Sequence, residues 1–130
     1  MVTPDASAQA TLILGLDPAQ AGIVRVFVAE TYRLFGCEDE VAEDARLAAS
    51  EAFAELTARC SSGTATVEVS AVDGKVTTRL EARSTSRGPA DEDLRTDDRR
   101  RSLIAALMAD VRDELDAEPP AISFSAPRPS

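Results

Sequence analysis

The sequence predicts an α+β fold in which helices cover one face of a mixed, mainly antiparallel sheet, forming a two-layer sandwich. Four short segments alternate apolar and polar residues as half-buried strands do, and three longer ones have the apolar spacing of helices. The dipeptide Asp73-Gly74 between two of the strands is typical of a type I′ hairpin. With 130 residues, 44% of them apolar, the chain has the size and composition of one globular domain.

The first half of the chain is predicted to hold one strand and two helices. We expect residues 1–9 to be a flexible arm, the domain to occupy 10–126, and 127–130 to be a tail. A strand over 11–16 precedes Asp17-Pro18, which is typical of an N-cap followed by the first helical residue. This helix is predicted to end at Gly36, and a second to run from Asp44 to Cys60 after a short acidic linker.

The second half is predicted to contribute three strands and one helix. Alternating apolar residues indicate strands over 65–72, 76–82 and 121–126. Residues 83–98 have no periodic apolar pattern, which predicts a long loop. Leu103, Leu107, Val111 and Leu115 have helical spacing and predict a last helix from about 99 to 115.

Composition excludes several classes of function. The net charge of −9 argues against nucleic acid as a direct ligand, because phosphate contacts require a basic surface. The sequence contains no histidine, which removes Ser-His-Asp and Cys-His nucleophile systems and any histidine-ligated metal site. We therefore expect no metal centre of that kind.

The cellular setting follows from the termini, the cysteines and the apolar runs. No apolar run approaches the ~18 residues of a membrane span, and the first residues lack the basic and apolar parts of a signal peptide. We expect a cytoplasmic protein without membrane attachment. Cys37 and Cys60 are interpreted as small packed residues, although the sequence leaves open a disulfide between them and a response to oxidation.

Glu51 and Glu55 are the candidate chemical groups of the second helix. They are four residues apart and share one stripe of it. Two interpretations are open. The stripe is either a solvated acidic face or the remnant of a catalytic helix facing a pocket, where repulsion between the carboxylates grows because water no longer screens it.

Three short motifs resemble the bacterial anti-sigma-factor serine kinases, which have the histidine-kinase-like ATPase (Bergerat-type) fold. Ala49-Ser50-Glu51-Ala52 is similar to the start of the family's catalytic helix, and the segment 25–29, Arg-Val-Phe-Val-Ala, to its first helix. The segment 107–111, Leu-Met-Ala-Asp-Val, resembles a motif that we expect on the last helix. The order of predicted elements is also similar to the family's over nearly the whole chain.

The resemblance implies nucleotide-binding residues, and this chain departs from most of them. Glu51 matches the catalytic base, but Glu55 stands where the family has the magnesium-binding Asn. The family's adenine-binding Asp-x-Gly-x-Gly falls on Ala82, Ser84 and Ser86. Its phosphate-binding Gly-x-Gly falls on 98–100, Asp-Arg-Arg, where Asp98 would repel a triphosphate.

These departures predict a protein that has lost ATP and retained its protein-binding surface. We interpret 99–101, Arg-Arg-Arg, as a solvated basic turn, with a grip on phosphate as the alternative. The resemblance implies a homodimer that binds a sigma factor or its antagonist protein through Arg25 and Tyr32. An active serine kinase, with Glu51 as base and Glu55 on magnesium beside ATP, is the alternative function. A subunit unrelated to sigma factors is a third possibility.

Overall fold

A computed structural model describes residues 8–60, 62–83 and 98–127 of the chain. Five strands and three α-helices are arranged in the order β1 (Ala8–Gly15), α1 (Ala21–Leu34), α2 (Asp39–Arg59), β2 (Thr64–Val72), β3 (Lys75–Arg83), α3 (Asp98–Leu107), β4 (Ala109–Glu114) and β5 (Ala121–Pro127). Most of the loop predicted over 83–98, namely residues 84–97, lies outside the described residues.

The strands form one five-stranded sheet in the order β1-β2-β3-β5-β4. Every adjacent pair is antiparallel. The α+β class is therefore confirmed, and the prediction of a mixed sheet is wrong. β1 and β4 are its two edge strands.

The β2–β3 hairpin forms at the predicted dipeptide. Asp73 and Gly74 both have positive φ, 50° and 78°, as the two central residues of a type I′ turn require. Val72 pairs with Lys75 directly beside this turn, so the register of the hairpin is set there.

The hydrophobic core lies between the helices and one face of the sheet. Along β2 and β3 every second side chain is buried and its neighbours are half-buried or exposed, so only one sheet face is covered. The largest fully buried apolar side chains come from all three helices, the central strands and the residue after β4: Tyr32, Phe53, Phe124, Leu56, Leu80, Ile104, Leu115 and Ile122. The opposite sheet face, here called the outer face, carries mostly polar and charged side chains, with Ile13 and Val72 as exposed apolar exceptions.

The predicted last helix is wrong in its second half. α3 ends at Leu107, and residues 109–114 form the edge strand β4 beside β5. The Met108 amide still donates to the Ile104 carbonyl at 2.9 Å, and Asp110 then has φ +51°, which no α-helix permits. The segment 107–111 consequently joins a helix to a strand, instead of lying on a helix.

The other boundaries differ from the predictions by a few residues. Asp17 caps a short 3-10 turn, where its side chain accepts a hydrogen bond from the Ala19 amide at 2.9 Å, and α1 follows at Ala21. β1 begins at Ala8, inside the predicted arm, and α2 begins at Asp39, five residues before the predicted start. Within the described part of the chain, no helix combines the length and apolar character needed to cross a membrane.

Candidate functional site

The candidate site is built on α2, which packs into the core through alanines. Ala42, Ala45, Ala48, Ala49 and Ala52 are all fully buried and allow close approach of the neighbouring elements. This packing directs the adjacent acidic stripe toward α3 instead of solvent. Glu55 has no exposed surface at all, whereas the side chain of Glu51 is 33% exposed. The interpretation of this stripe as a solvated face is therefore wrong for Glu55.

Arg100 of α3 places its guanidinium group beside both carboxylates. Its Nε lies 3.7 Å from Glu51 Oε2, and its Nη1 lies 3.7 Å from Glu55 Oε1. The side chain of Arg100 is 36% exposed, so one side of this charge cluster remains open to water. A cation at this position reduces the repulsion between two carboxylates that share a helical stripe.

The basic segment at the start of α3 is thus only partly the solvated turn that the sequence predicts. Arg99 is exposed, as expected, but Arg100 joins the carboxylates of α2. Arg101 reaches β4, with its Nε 3.0 Å from Asp113 Oδ2. Two successive arginines therefore attach α3 to two different elements.

The positions that the resemblance assigns to nucleotide binding are only partly within the described residues. Magnesium binds oxygen ligands, and both carboxylates that might supply them already face the guanidinium of Arg100. The described residues contain no group of three or more acidic, cysteine or histidine side chains arranged to hold a metal ion. Of the positions that the resemblance assigns to adenine, Ala82 is buried in β3, while Ser84 and Ser86 lie outside the described residues.

Arg25 lies on α1 and reaches across to α2. Its Nη1 donates a hydrogen bond to Ser50 Oγ at 3.2 Å, and the residue is half-buried. Ser50 immediately precedes Glu51, so Arg25 and the acidic stripe occupy neighbouring parts of the α1–α2 surface. The structure leaves Arg25 accessible to a partner.

Tyr32 does not lie on a surface, so its predicted role as a partner contact is corrected. The side chain is fully buried, and its hydroxyl lies 2.6 Å from Thr78 Oγ1 on β3. It belongs to the core between α1 and the sheet. Helical position alone could not reveal this, because an aromatic residue with a polar tip suits both a core and an interface.

The buried phenol gives a prediction for alkaline stability. Burial raises the pKa of Tyr32 well above its ordinary value of 10.0, and the hydrogen bond with Thr78 opposes this only in part. Below pH 10 both states keep the proton; above it only the unfolded chain loses it, so folding stability falls as pH rises. The loss should approach about 1.4 kcal/mol per pH unit.

Urea unfolding of wild type and Tyr32→Phe across this pH range measures the effect. Tyr32 is the single tyrosine of the chain, so the change with pH in the difference between the two proteins reports its ionisation. At neutral pH the difference gives the cost of losing the Thr78 hydrogen bond. A difference that stays constant above pH 10 would contradict the burial of this phenol.

A surface that the sequence analysis missed is an apolar groove between β1 and the start of α1. Leu12, Gly22, Ile23, Val26 and Phe27 line this cavity of about 560 Å³, together with Ala19. Ile23 and Val26 are 51% and 64% exposed, which is unusual for such side chains on a packed helix. The detectable signal was that α1 has apolar residues outside the stripe that faces the core.

The two cysteines cannot form a disulfide with each other in this chain. Cys37 precedes α2 and Cys60 follows it, so the 21 residues of this helix separate them by about 30 Å. A disulfide requires Cα atoms within about 7 Å. Both cysteines are buried and neither is part of a disulfide, in accordance with their interpretation as packed residues.

Comparison with known proteins does not assign the chain to a family. No protein-family model matches the sequence. No curated protein is significantly similar to it.

Proposed function

We propose that this chain is a nucleotide-independent regulator of transcription that resembles the anti-sigma factors and acts by binding a sigma factor or its antagonist protein. In this proposal the domain is a degenerate histidine-kinase-like ATPase. The observation that carries the proposal is the ion-pair cluster of Arg100 with Glu51 and Glu55. In this cluster the guanidinium of Arg100 takes the place beside Glu51 and Glu55 that a magnesium ion would occupy. Protein binding is then the activity that the domain retains.

Loss of nucleotide chemistry is supported by three independent features of this site. A guanidinium group faces both carboxylates, Glu55 is sealed from solvent, and bulky side chains replace glycines at the start of α3. Phosphate binding at a helix N-terminus depends on exposed backbone amides, which the glycines of the family provide. Glu51 remains partly exposed, yet a base without a positioned phosphoryl donor accomplishes nothing.

Homodimer formation is supported by the contrast between the two edges of the sheet. β4 is protected in the usual ways: it is short, carries Asp110, Arg112 and Glu114, and contains an irregular register. β1 has eight residues, no charged side chain and a regular register with β2. An unprotected edge beside an apolar groove favours pairing with a second copy.

The apolar groove is itself suited to a two-fold interface. Such an interface is self-complementary, so one patch must supply both projecting and receiving features. Ile23 and Val26 project from α1, and the space above Gly22 can accommodate the projecting side chains of the second copy. We therefore propose that β1 and the groove form the dimer contact, while the Arg25 side of α1 is left for the regulatory partner.

The proposed partner contact is tested by Arg25→Ala. We expect complex formation with the cognate sigma factor or antagonist to weaken about tenfold or more, because Arg is prominent among interface residues that dominate affinity. Stability should change by no more than about 0.5 kcal/mol, as for most substitutions at the surface. Titration calorimetry against each sigma factor and antagonist protein of the source organism measures the binding.

Ser50→Ala is the matched control, because it removes the hydrogen bond to Arg25 and leaves the guanidinium available. If Ser50→Ala weakens binding as much as Arg25→Ala, then Arg25 binds the partner only when the hydrogen bond to Ser50 holds its guanidinium in place. Equal binding by wild type and Arg25→Ala would remove Arg25 from the interface. Absence of binding to every sigma factor and antagonist would overturn the proposed function.

A further inference from the structure

The outer face of the sheet contains a polar depression, here called the outer trough. Its floor consists of Thr77 on β3 and of Ser123 and Ser125 on β5. The two serines are only 8% and 6% exposed although none of the described helices packs on this face, and the longer side chains of the lining surround them. Thr77 Oγ1 lies 3.0 Å from Ser125 Oγ, so the hydroxyl groups form a connected layer.

Two ion pairs bound the trough at its ends. Each joins β3 to β4 across the intervening strand β5. Lys75 Nζ lies 2.8 Å from Asp110 Oδ2 at one end, and Arg79 Nη1 lies 2.8 Å from Glu114 Oε1 at the other. The depression is open to solvent and has a volume of about 540 Å³.

Arg112 has no ion pair of its own among the described residues, although its charge helps to lower the pKa of Asp110. The acids around it on β4 are already paired: Asp110 with Lys75, Asp113 with Arg101, and Glu114 with Arg79. Three cations and two carboxylates therefore line the trough. This is a local excess of positive charge in a chain whose net charge is −9.

The backbone of β4 departs from regular geometry at this point. The register with β5 shifts between Ala109 and Arg112, and Asp110 has φ +51°. Irregularities of this kind redirect side chains and are over-represented near functional sites. Here the shift accompanies a carboxylate that contacts Lys75 and an arginine on the wall of the trough.

We propose that the outer trough binds a small organic anion through one carboxylate or phosphate group, with Arg112 as the ion-pair partner and the floor hydroxyls as hydrogen-bond donors. A planar guanidinium and neighbouring hydroxyls suit an oxyanion. Asp110 and Glu114 disfavour a multiply charged ligand. The site lies on the sheet face opposite the helices and does not depend on the proposed regulatory function.

The test is a titration of the isotope-labelled full chain with acetate and with inorganic phosphate at constant ionic strength, followed by amide NMR. We expect saturable shifts in β3, β4 and β5 at millimolar concentration. Arg112→Gln should weaken binding roughly tenfold, the value of about one charge-assisted hydrogen bond. Arg46→Gln, which alters an arginine on α2 that pairs with Glu43, should leave binding unchanged.

Two further comparisons complete the design. Ser125→Val removes one floor hydroxyl and introduces valine, a residue that is favourable in strands. The variant should keep the fold and bind the saturating anion more weakly. Whichever anion saturates identifies the group as a carboxylate or a phosphate. Linear shifts with both anions, or equal affinity in Arg112→Gln and wild type, would overturn the proposal.

Discussion

Arg100→Ala is expected to destabilise the domain by about 2 kcal/mol. Removing one partner of a buried ion pair typically costs 3–5 kcal/mol. The smaller value applies here because Arg100 is about one-third exposed and its nitrogens lie 3.7 Å from the carboxylate oxygens, beyond direct hydrogen-bond distance. Urea unfolding measures the effect as a lower midpoint with an unchanged slope.

The matched control for this prediction is Arg99→Ala on the same turn of α3. Arg99 is exposed, so its removal should change stability by no more than about 0.5 kcal/mol. Glu55→Gln completes a double-mutant cycle, because the neutral amide does not need the guanidinium. We expect a coupling between Arg100 and Glu55 of at least about 1 kcal/mol. Strictly additive effects would mean that the two side chains are energetically independent.

Gly22→Trp is expected to weaken self-association at least tenfold while preserving the fold. Gly22 lies within α1, where a Cβ atom would meet only the flexible end of Arg25 at 3.7 Å. Packing within one chain therefore does not require a glycine here, although glycine lowers helix stability by up to about 1 kcal/mol relative to alanine. A tryptophan at this position would fill the groove over Leu12 and Phe27. Sedimentation equilibrium over a concentration series measures the dimer.

Gly22→Ala separates the two effects of this substitution. It should stabilise the chain slightly through helix propensity and leave the groove open enough for the second copy. If Gly22→Trp dimerises as tightly as Gly22→Ala, the groove is not the dimer contact. If wild type is monomeric at all concentrations, the proposed homodimer itself fails, whatever the behaviour of the variants.

Local sequence signals predicted most of the architecture. Asp73-Gly74 located a hairpin whose two positive φ values the structure contains, and alternating apolar residues located β2, β3 and β5. These predictions succeeded because turn conformation and strand alternation depend on adjacent residues. The sequence also identified α2 as the helix that carries the acidic pair.

Features that depend on distant residues were missed. Val111 and Leu115 fit both the spacing of a helix and the alternation of a strand. The segment becomes the strand β4 because it pairs with the otherwise free edge of β5. Likewise, Arg100 is 45 residues from Glu55 in the sequence, so no local pattern reveals that they meet. Tyr32 was assigned to a surface for the same reason, since its partner Thr78 lies on β3.

Titration calorimetry with Mg-ATP tests the proposed loss of nucleotide binding most directly. We expect no saturable heat at millimolar ligand and no rise in melting temperature, because a ligand stabilises only a state that it binds. Arg100→Ala should behave in the same way, since the glycines that cradle phosphate are also missing. Saturable binding of Mg-ATP at micromolar concentration by wild type would contradict the proposal. It would favour an active kinase, and the next measurement would compare phosphoryl transfer by wild type and by Glu51→Ala.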